Sequence, residues 1–185
     1  MQKRSHKLLA RTLLDSCNGF PKKRFELAFL FGSFQPDCNP LSYLKGSIHG
    51  KTLMGHNFSN SRKYIERRIA RLQARSRWRI WQYYTLGKLT HYLADAFTYP
   101  HNETYPDNIA AHHRYENALR VHFAEYLSDK ESSCRVPSSQ DLSGEIDQLH
   151  RQYLSSASNW LRDSDYILKA TGLLMSSVCP CPAGA

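Results

Sequence analysis

Long apolar stretches are missing from the sequence, and so is any regular arrangement of cysteines. The longest apolar run, Leu27 to Phe31, is far shorter than the roughly 20 residues that a helix needs to cross a bilayer. The five cysteines are odd in number and show no CxxC spacing, which argues against a disulfide framework and against a thiolate zinc site. An internal repeat and an alternating pattern long enough for a β-strand are also lacking. These absences predict an all-α protein without a membrane-spanning segment.

A signal peptide is not apparent either. The N-terminal segment is basic, but neither an apolar core nor a small-residue cleavage site follows it. We therefore expect a cytoplasmic protein, with secretion as the less favoured alternative. The chain of 185 residues is long enough to form one domain with a sizeable core. We expect this domain to cover residues 1–176, and residues 177–185 to form a flexible tail.

The charge of the chain is strongly positive and unevenly placed. The formal net charge is +9, and eight of the Lys and Arg residues lie between Arg62 and Arg79 beside a single acid, Glu66. Such an excess predicts attraction to anionic partners, namely a phospholipid surface, a nucleic acid or a phosphorylated substrate. A basic helix face that is merely solvated is the alternative explanation of this cluster.

Apolar residues recur at helical spacing through most of the chain. We predict helices over residues 4–16, 21–31, 61–75, 77–98, 108–127, 143–157 and 158–176. Trp78, Trp81 and Tyr84 are expected to pack in the core around the fourth of these helices. The segment 32–60 is rich in Gly, Pro and Asn, which is typical of a loop. We interpret it as a functional loop because it also holds Asp, His and aromatic residues.

Residues with metal-binding chemistry concentrate in two helical pairs. His91 and Asp95 are four residues apart, so a helix places the imidazole and the carboxylate on one face. His112 and Glu116 repeat this spacing, and His101 lies between the pairs on a turn that follows a proline. Imidazoles and carboxylates are ligands of a borderline divalent metal such as zinc. A surface ion pair explains either pair alone, but two pairs with a histidine between them favour a metal site.

Three further elements accompany these pairs. Asp37 follows a proline after the second predicted helix, His56 lies in a Gly-His-Asn-Phe segment, and His6 is close to the N-terminus. Together with the His-x3-Asp-x5-His run and the His-x3-Glu pair, they resemble the zinc-dependent phospholipase C family and the related S1/P1 nucleases. The resemblance covers about residues 1–127 and is most specific in the spacing from 91 to 116.

This resemblance implies an all-α enzyme that holds three zinc ions, or at least two, in a cleft and hydrolyses phosphodiesters. The implied ligands of one ion are Asp37, His56 and His91. A second ion would be held by His6 with the amine and carbonyl of Met1, and Asp95 would bridge it to the first. The remaining ion would be held by His101, His112 and Glu116. The family's mature N-terminal residue is Trp, whereas Met1 stands in this chain. His49 lies in the same loop as His56 and is the alternative ligand.

Two chemical roles are open for Asp37. Clustered zinc ions acidify bound water and neutralise the charge that builds up on phosphoryl oxygens. In such a site Asp37 serves either as a ligand or as the base that orients the attacking water. The next residue is Cys38, at a position where the phospholipases that hold choline carry an aromatic residue.

The sequence therefore predicts a zinc-dependent phosphodiester hydrolase of phospholipase C type, which releases diacylglycerol and a phosphorylated headgroup. The expected partners are a phospholipid or another phosphodiester and, transiently, an anionic membrane surface. A single-strand nuclease or other phosphodiesterase is the first alternative, because the arginine-rich helix suits nucleic acid as a second choice of partner. A zinc-binding protein without catalytic activity is the other alternative.

Overall fold

The computed structural model is built from α-helices. It describes residues 1–38, 58–102, 105, 109–129, 137–157 and 159–179. The helices are α1 (Lys3–Ser16), α2 (Lys23–Phe34), α3 (Phe58–Gln73), α4 (Ile80–Ala96), α5 (Ile109–Asp129), α6 (Leu142–Ser155) and α7 (Trp160–Val178), with short 3-10 turns at Gln35–Cys38 and Tyr99–His101. These residues include no β-strand, which confirms the all-α prediction. None of the described helices combines the length and the apolar content needed to cross a bilayer.

Local capping explains where several helices begin. The side chains of Asp141 and Asn159 accept hydrogen bonds from the first turns of α6 and α7. Helix α4 begins at Ile80, three residues later than predicted, because Gln82 turns back and accepts a hydrogen bond of 2.8 Å from the backbone N–H of Arg79. Helix α7 ends at Val178, so the described chain is helical into the segment predicted as a tail. The division into a domain and a tail stays a prediction.

Helix α4 lies at the centre of the fold. Nearly every side chain from Leu86 to Ala96 is buried, as expected for a helix that is surrounded on all sides. It contacts α1, α2, α3 and α7. Large apolar side chains from these helices pack around it, including Leu9, Phe29 and Ile69, which are all at most 2% exposed. The predicted site residues of α4 are therefore held in a rigid, close-packed setting.

Helices α2 and α4 cross at unusually short distance. A Cβ atom added at Gly87 would lie 2.1 Å from the backbone oxygen of Phe29, and one added at Gly32 would lie 2.3 Å from that of Tyr84. Only glycine allows the two backbones to come this close. The crossing brings the last turn of α2 against the part of α4 that holds His91.

Trp81 is the exception to the predicted core. Its side chain is 70% exposed, so the prediction that it packs in the core was wrong. Tyr83 takes the core position in this turn, where its ring stacks on Phe25 at a centroid distance of 4.5 Å. Residues two apart on a helix point in nearly opposite directions, which sends Trp81 outward.

A buried carboxylate joins the C-terminal helices to the turn after α4. Asp163 of α7 is fully buried and accepts hydrogen bonds from the backbone N–H of Tyr99 at 2.9 Å and from the hydroxyls of Tyr115 and Tyr153 at 2.9 and 2.8 Å. These donors belong to the Tyr99–His101 turn, to α5 and to α6. Asp163 thereby fixes the turn that carries His101.

Candidate metal centre

The structure brings together eight of the nine residues that were predicted as metal ligands. Met1 precedes α1, which holds His6, and Asp37 lies in the 3-10 turn after α2. The others are His91 and Asp95 of α4, His101 of the second 3-10 turn, and His112 and Glu116 of α5. His56 and its alternative His49 lie outside the described residues.

The first cluster consists of His6, His91 and Asp95. The two carboxylate oxygens of Asp95 point to different histidines: Oδ1 is 3.2 Å from His6 Nε2, and Oδ2 is 3.2 Å from His91 Nε2. The rings of His6 and His91 stack with their centroids 3.9 Å apart. All three side chains are at most 1% exposed. One potential ligand atom from each residue lies within 4.8 Å of the others, which is a spacing that could hold a metal ion.

Asp37 lies at the edge of this cluster. Its Oδ1 is 3.6 Å from His91 Nε2, and its Oδ2 is 4.0 Å from His6 Nε2. Among the described residues, neither Asp37 Oδ2 nor His6 Nε2 has a hydrogen-bond partner, although both atoms are buried. Buried polar atoms are normally satisfied, so two that converge without a hydrogen bond fit the ligand atoms of a metal ion.

The second cluster consists of His101, His112 and Glu116. Glu116 Oε1 lies 3.1 Å from Nε2 of both histidines, and the two rings are 5.1 Å apart. One potential ligand atom from each of these residues also lies within 4.8 Å of the others. The side chain of His112 is 26% exposed, whereas the first cluster is sealed from solvent. The second cluster is therefore the side of the centre that solvent reaches.

The amine of Met1 lies between the two clusters. It is 2.7 Å from Asp95 Oδ1, 2.8 Å from Glu116 Oε1 and 2.9 Å from His101 Nε2. Burial alone would lower the pKa of this amine, but the charges of Asp95 and Glu116 outweigh burial and raise the pKa to about 11. The predicted Met1 position is thus in direct contact with a ligand candidate from each cluster.

Four of the candidate ligands have pKa values shifted toward the form that binds a metal. Burial and the neighbouring His91 lower the pKa of His6 to about 4, and burial with the Met1 ammonium lowers that of His101. Burial opposes ionisation of Asp95, yet the Met1 ammonium and the surrounding histidines keep its pKa well below the usual value. The pKa of Glu116 is lowered for the same reasons. Neutral imidazoles and ionised carboxylates are the metal-binding forms of these groups.

A backbone group orients His91. Its Nδ1 lies 3.0 Å from the carbonyl oxygen of Ser33, and because that oxygen can only accept, Nδ1 carries the proton. Nε2 is then the unprotonated nitrogen, and it faces Asp95. Hydrogen bonds of this kind fix the tautomer of a metal-binding histidine. No sequence motif indicates Ser33, since any residue could supply the carbonyl.

Asp163 is the other supporting residue that the sequence did not indicate. It is placed in the first turn of α7, where an acidic residue is common for helix stability alone. Its contact with Tyr99 becomes visible only when the fold brings the Tyr99–His101 turn against α7.

A known protein family matches most of the chain. The zinc-dependent phospholipase C family matches the chain over residues 5–160, which is most of its length. The chain belongs to this family. No curated protein and no solved structure matches it significantly. The matched segment contains every predicted ligand except Met1.

Membership of the zinc-dependent phospholipase C family places the chain among phospholipase-type, zinc-dependent hydrolases. The two clusters supply the nitrogen and oxygen ligands that zinc prefers. The match ends at residue 160, so nearly all of α7, including Asp163, lies beyond the matched segment.

Proposed function

We propose that the protein is a zinc-dependent phospholipase C that cleaves a phospholipid to diacylglycerol and a phosphorylated headgroup. The observation that carries the proposal is the presence of two adjacent His/carboxylate clusters. Asp95 of one cluster and Glu116 of the other both contact the Met1 amine. A single cluster suits a structural ion, whereas adjacent clusters suit the clamping of a phosphodiester.

The proposed zinc ligands are those that the resemblance implied. His6, His91, Asp95 and Asp37 surround the sealed part of the centre, and His101, His112 and Glu116 form the part that solvent reaches. His56 and Met1 complete the proposed set, and the Met1 ammonium would have to release a proton before its amine could bind zinc. Zinc bound there would supply a nucleophilic water near neutral pH and stabilise negative charge on the phosphoryl group. Three ions are proposed, and the two described clusters support at least two.

Asp37 is proposed to accept the proton of the attacking water. Its side chain is 15% exposed and lies at the edge of the buried cluster, so a water molecule can reach it while His91 stays sealed. A carboxylate placed within reach of the water meets the geometric requirement for a general base.

A single-strand nuclease is the second candidate function. The net charge of +9 and the arginines of α3 favour it. However, Arg62 of this helix is engaged by Glu66 and by Asp147 of α6, and Arg68 lies over the ring of Tyr64 at 5.2 Å. These intramolecular contacts engage part of the basic face of α3. We therefore rank a phospholipid above a nucleic acid as the substrate.

Metal analysis combined with two substrates tests the proposal. We expect the purified protein to contain zinc, and we expect it to hydrolyse a chromogenic phosphocholine ester but not single-stranded DNA. Removal of zinc by a chelator should abolish hydrolysis, and added zinc should restore it. Protein without zinc would overturn the scheme, cleavage of DNA alone would establish the nuclease, and zinc without either activity would indicate a non-catalytic zinc protein.

A pair of variants on α5 assigns the activity to the site. Glu116→Gln removes the carboxylate that both His101 and His112 approach, so we expect zinc content to fall and turnover to drop by at least about 100-fold. Glu125→Gln, on the exposed face of the same helix, is the matched control and should change neither. Equal zinc content and turnover in the two variants would remove Glu116 from the site.

A further inference from the structure

A continuous group of aromatic and apolar side chains lies on the outer side of the α2–α4 crossing. We call it the aromatic ridge; its members are Leu27, Phe31 and Phe34 of α2 and Trp81 and Tyr84 of α4. Leu27, Phe31 and Trp81 are 58%, 52% and 70% exposed. Single exposed apolar residues are ordinary, but contiguous ones mark an interaction surface.

Ring contacts connect the four aromatic members of the ridge, and Leu27 lies one turn before Phe31 on α2. The Phe31 ring is 6.0 Å from the ring of Tyr84 and 5.6 Å from that of Phe34, and the Trp81 ring is 6.0 Å from that of Tyr84. The close crossing at the two glycines sets Phe31 and Tyr84 side by side across the helix boundary. The ridge is therefore a feature of the packed fold and not of one helix alone.

Lysines lie beside two of the aromatic rings of the ridge. Lys3 and Lys7 of α1 place their Nζ atoms 5.1 and 4.4 Å from the ring centroid of Phe34. Lys88 places its Nζ 5.9 Å from that of Tyr84. Aromatic side chains with adjacent lysines complement a surface that has negatively charged groups on the outside and an apolar layer beneath them.

The ridge is also next to the candidate metal centre. The hydroxyl of Tyr84 donates a hydrogen bond of 3.0 Å to Gln35, which begins the 3-10 turn that contains Asp37. Phe34, at the end of α2, is three residues from Asp37. A surface that contacts the ridge therefore lies close to the proposed base.

We propose that the aromatic ridge and its bordering lysines dock the protein on an anionic phospholipid bilayer. Trp81, Phe31 and Tyr84 would enter the interfacial layer, where aromatic rings are favoured, while the lysines contact anionic headgroups. The choice of a lipid surface as the partner rests on the proposed phospholipase function. Charge complementarity selects the anionic surface over a neutral one.

Vesicle sedimentation with the full chain tests this docking surface. Binding is measured to phosphatidylcholine vesicles with and without phosphatidylserine, in the cold and before hydrolysis alters the lipids. Phe31→Ala/Trp81→Ala should weaken binding to both kinds of vesicle by at least about tenfold. Lys3→Gln/Lys7→Gln should weaken binding to vesicles with phosphatidylserine by about fivefold for each lysine, and binding to phosphatidylcholine alone much less.

The matched control uses the exposed apolar residues of α7. Trp160 and Leu161 are 43% and 58% exposed, and Trp160 faces Tyr115 and His122 of α5 instead of the ridge. Trp160→Ala/Leu161→Ala should bind vesicles like the wild type. Circular dichroism and zinc content are measured for every variant, and both should equal those of the wild type if the variant is folded.

The outcomes separate the docking surface from the proposed function. The docking proposal is overturned if the Phe31→Ala/Trp81→Ala variant binds vesicles as tightly as the wild type. It is also overturned if the Trp160→Ala/Leu161→Ala control loses as much binding as the ridge variant. A wild type that stays off vesicles, or a ridge that mediates dimerisation of the protein in solution instead, has the same consequence. Hydrolysis of a soluble short-chain phosphatidylcholine is assayed separately, because its failure would reject the phospholipase function while ridge-dependent binding would still establish the surface.

Discussion

Replacement of Asp163 by alanine should strongly destabilise the protein. The carboxylate is fully buried and accepts hydrogen bonds from the Tyr99 backbone and from the hydroxyls of Tyr115 and Tyr153. Asp163→Ala removes the acceptor for all three donors and leaves a cavity among them. The damage would affect the 3-10 turn, α5, α6 and α7 at the same time.

The expected loss follows from these contacts. A buried donor that loses its partner costs about 1–3 kcal/mol, and the costs of neighbouring groups do not simply add. Burial raises the pKa of Asp163, because desolvation of the carboxylate outweighs the favourable contributions of the hydrogen-bond donors and of Arg162. Removal of one member of a buried charged network typically costs about 3–5 kcal/mol. We therefore expect the free energy of unfolding to fall by about 3–5 kcal/mol.

Urea denaturation at pH 7 measures this loss, with Asp165→Ala as the control in the same helix. Asp165 is 39% exposed; it pairs with Lys169 at 2.7 Å and accepts a hydrogen bond of 3.3 Å from the Tyr126 hydroxyl. An exposed pair of this kind contributes less than about 1 kcal/mol. If Asp163→Ala lost no more stability than Asp165→Ala, the proposed network would not hold the fold. Zinc content is measured in parallel, because the turn that Asp163 fixes carries His101.

Two further predictions concern the core and the pH dependence. Gly87→Ala should lower the free energy of unfolding by about 1–3 kcal/mol, since the new Cβ would lie 2.1 Å from Phe29 O; unchanged denaturation would show that the α2–α4 crossing can yield. Burial lowers the pKa of His150 to about 4, so the folded state disfavours its protonation. Stability from this residue is present above pH ~6.5 and falls by up to about 3 kcal/mol as pH drops toward 4. The His150→Gln variant should lack this pH-dependent part of the free energy of unfolding. If its stability ran parallel to that of the wild type between pH 4 and 7, the prediction would be wrong.

The local parts of the site could be predicted from the sequence because helical spacing determines them. A separation of four residues places His91 beside Asp95 and His112 beside Glu116 without knowledge of the rest of the fold. The assembly of these pairs with His6 depends on tertiary packing, and the sequence indicated it only through the family resemblance.

Other features depend on packing that no motif announces. Trp81 was expected in the core, and α4 is apolar on several sides. Periodicity alone therefore did not show that Trp81 points outward and Tyr83 inward. The donors to Asp163 come from three separate segments. The Ser33 carbonyl is a backbone group whose role is independent of the side chain.

The glycine contact between α2 and α4 has a consequence for protein engineering. Gly32 and Gly87 set the spacing of two helices, one of which supplies the Ser33 carbonyl and the other His91, which donates to it at 3.0 Å. Substitutions at these two positions would change the orientation of the imidazole without replacing any proposed ligand. They offer a means to tune metal affinity and selectivity through the scaffold, with the chemistry of the coordinating groups kept constant.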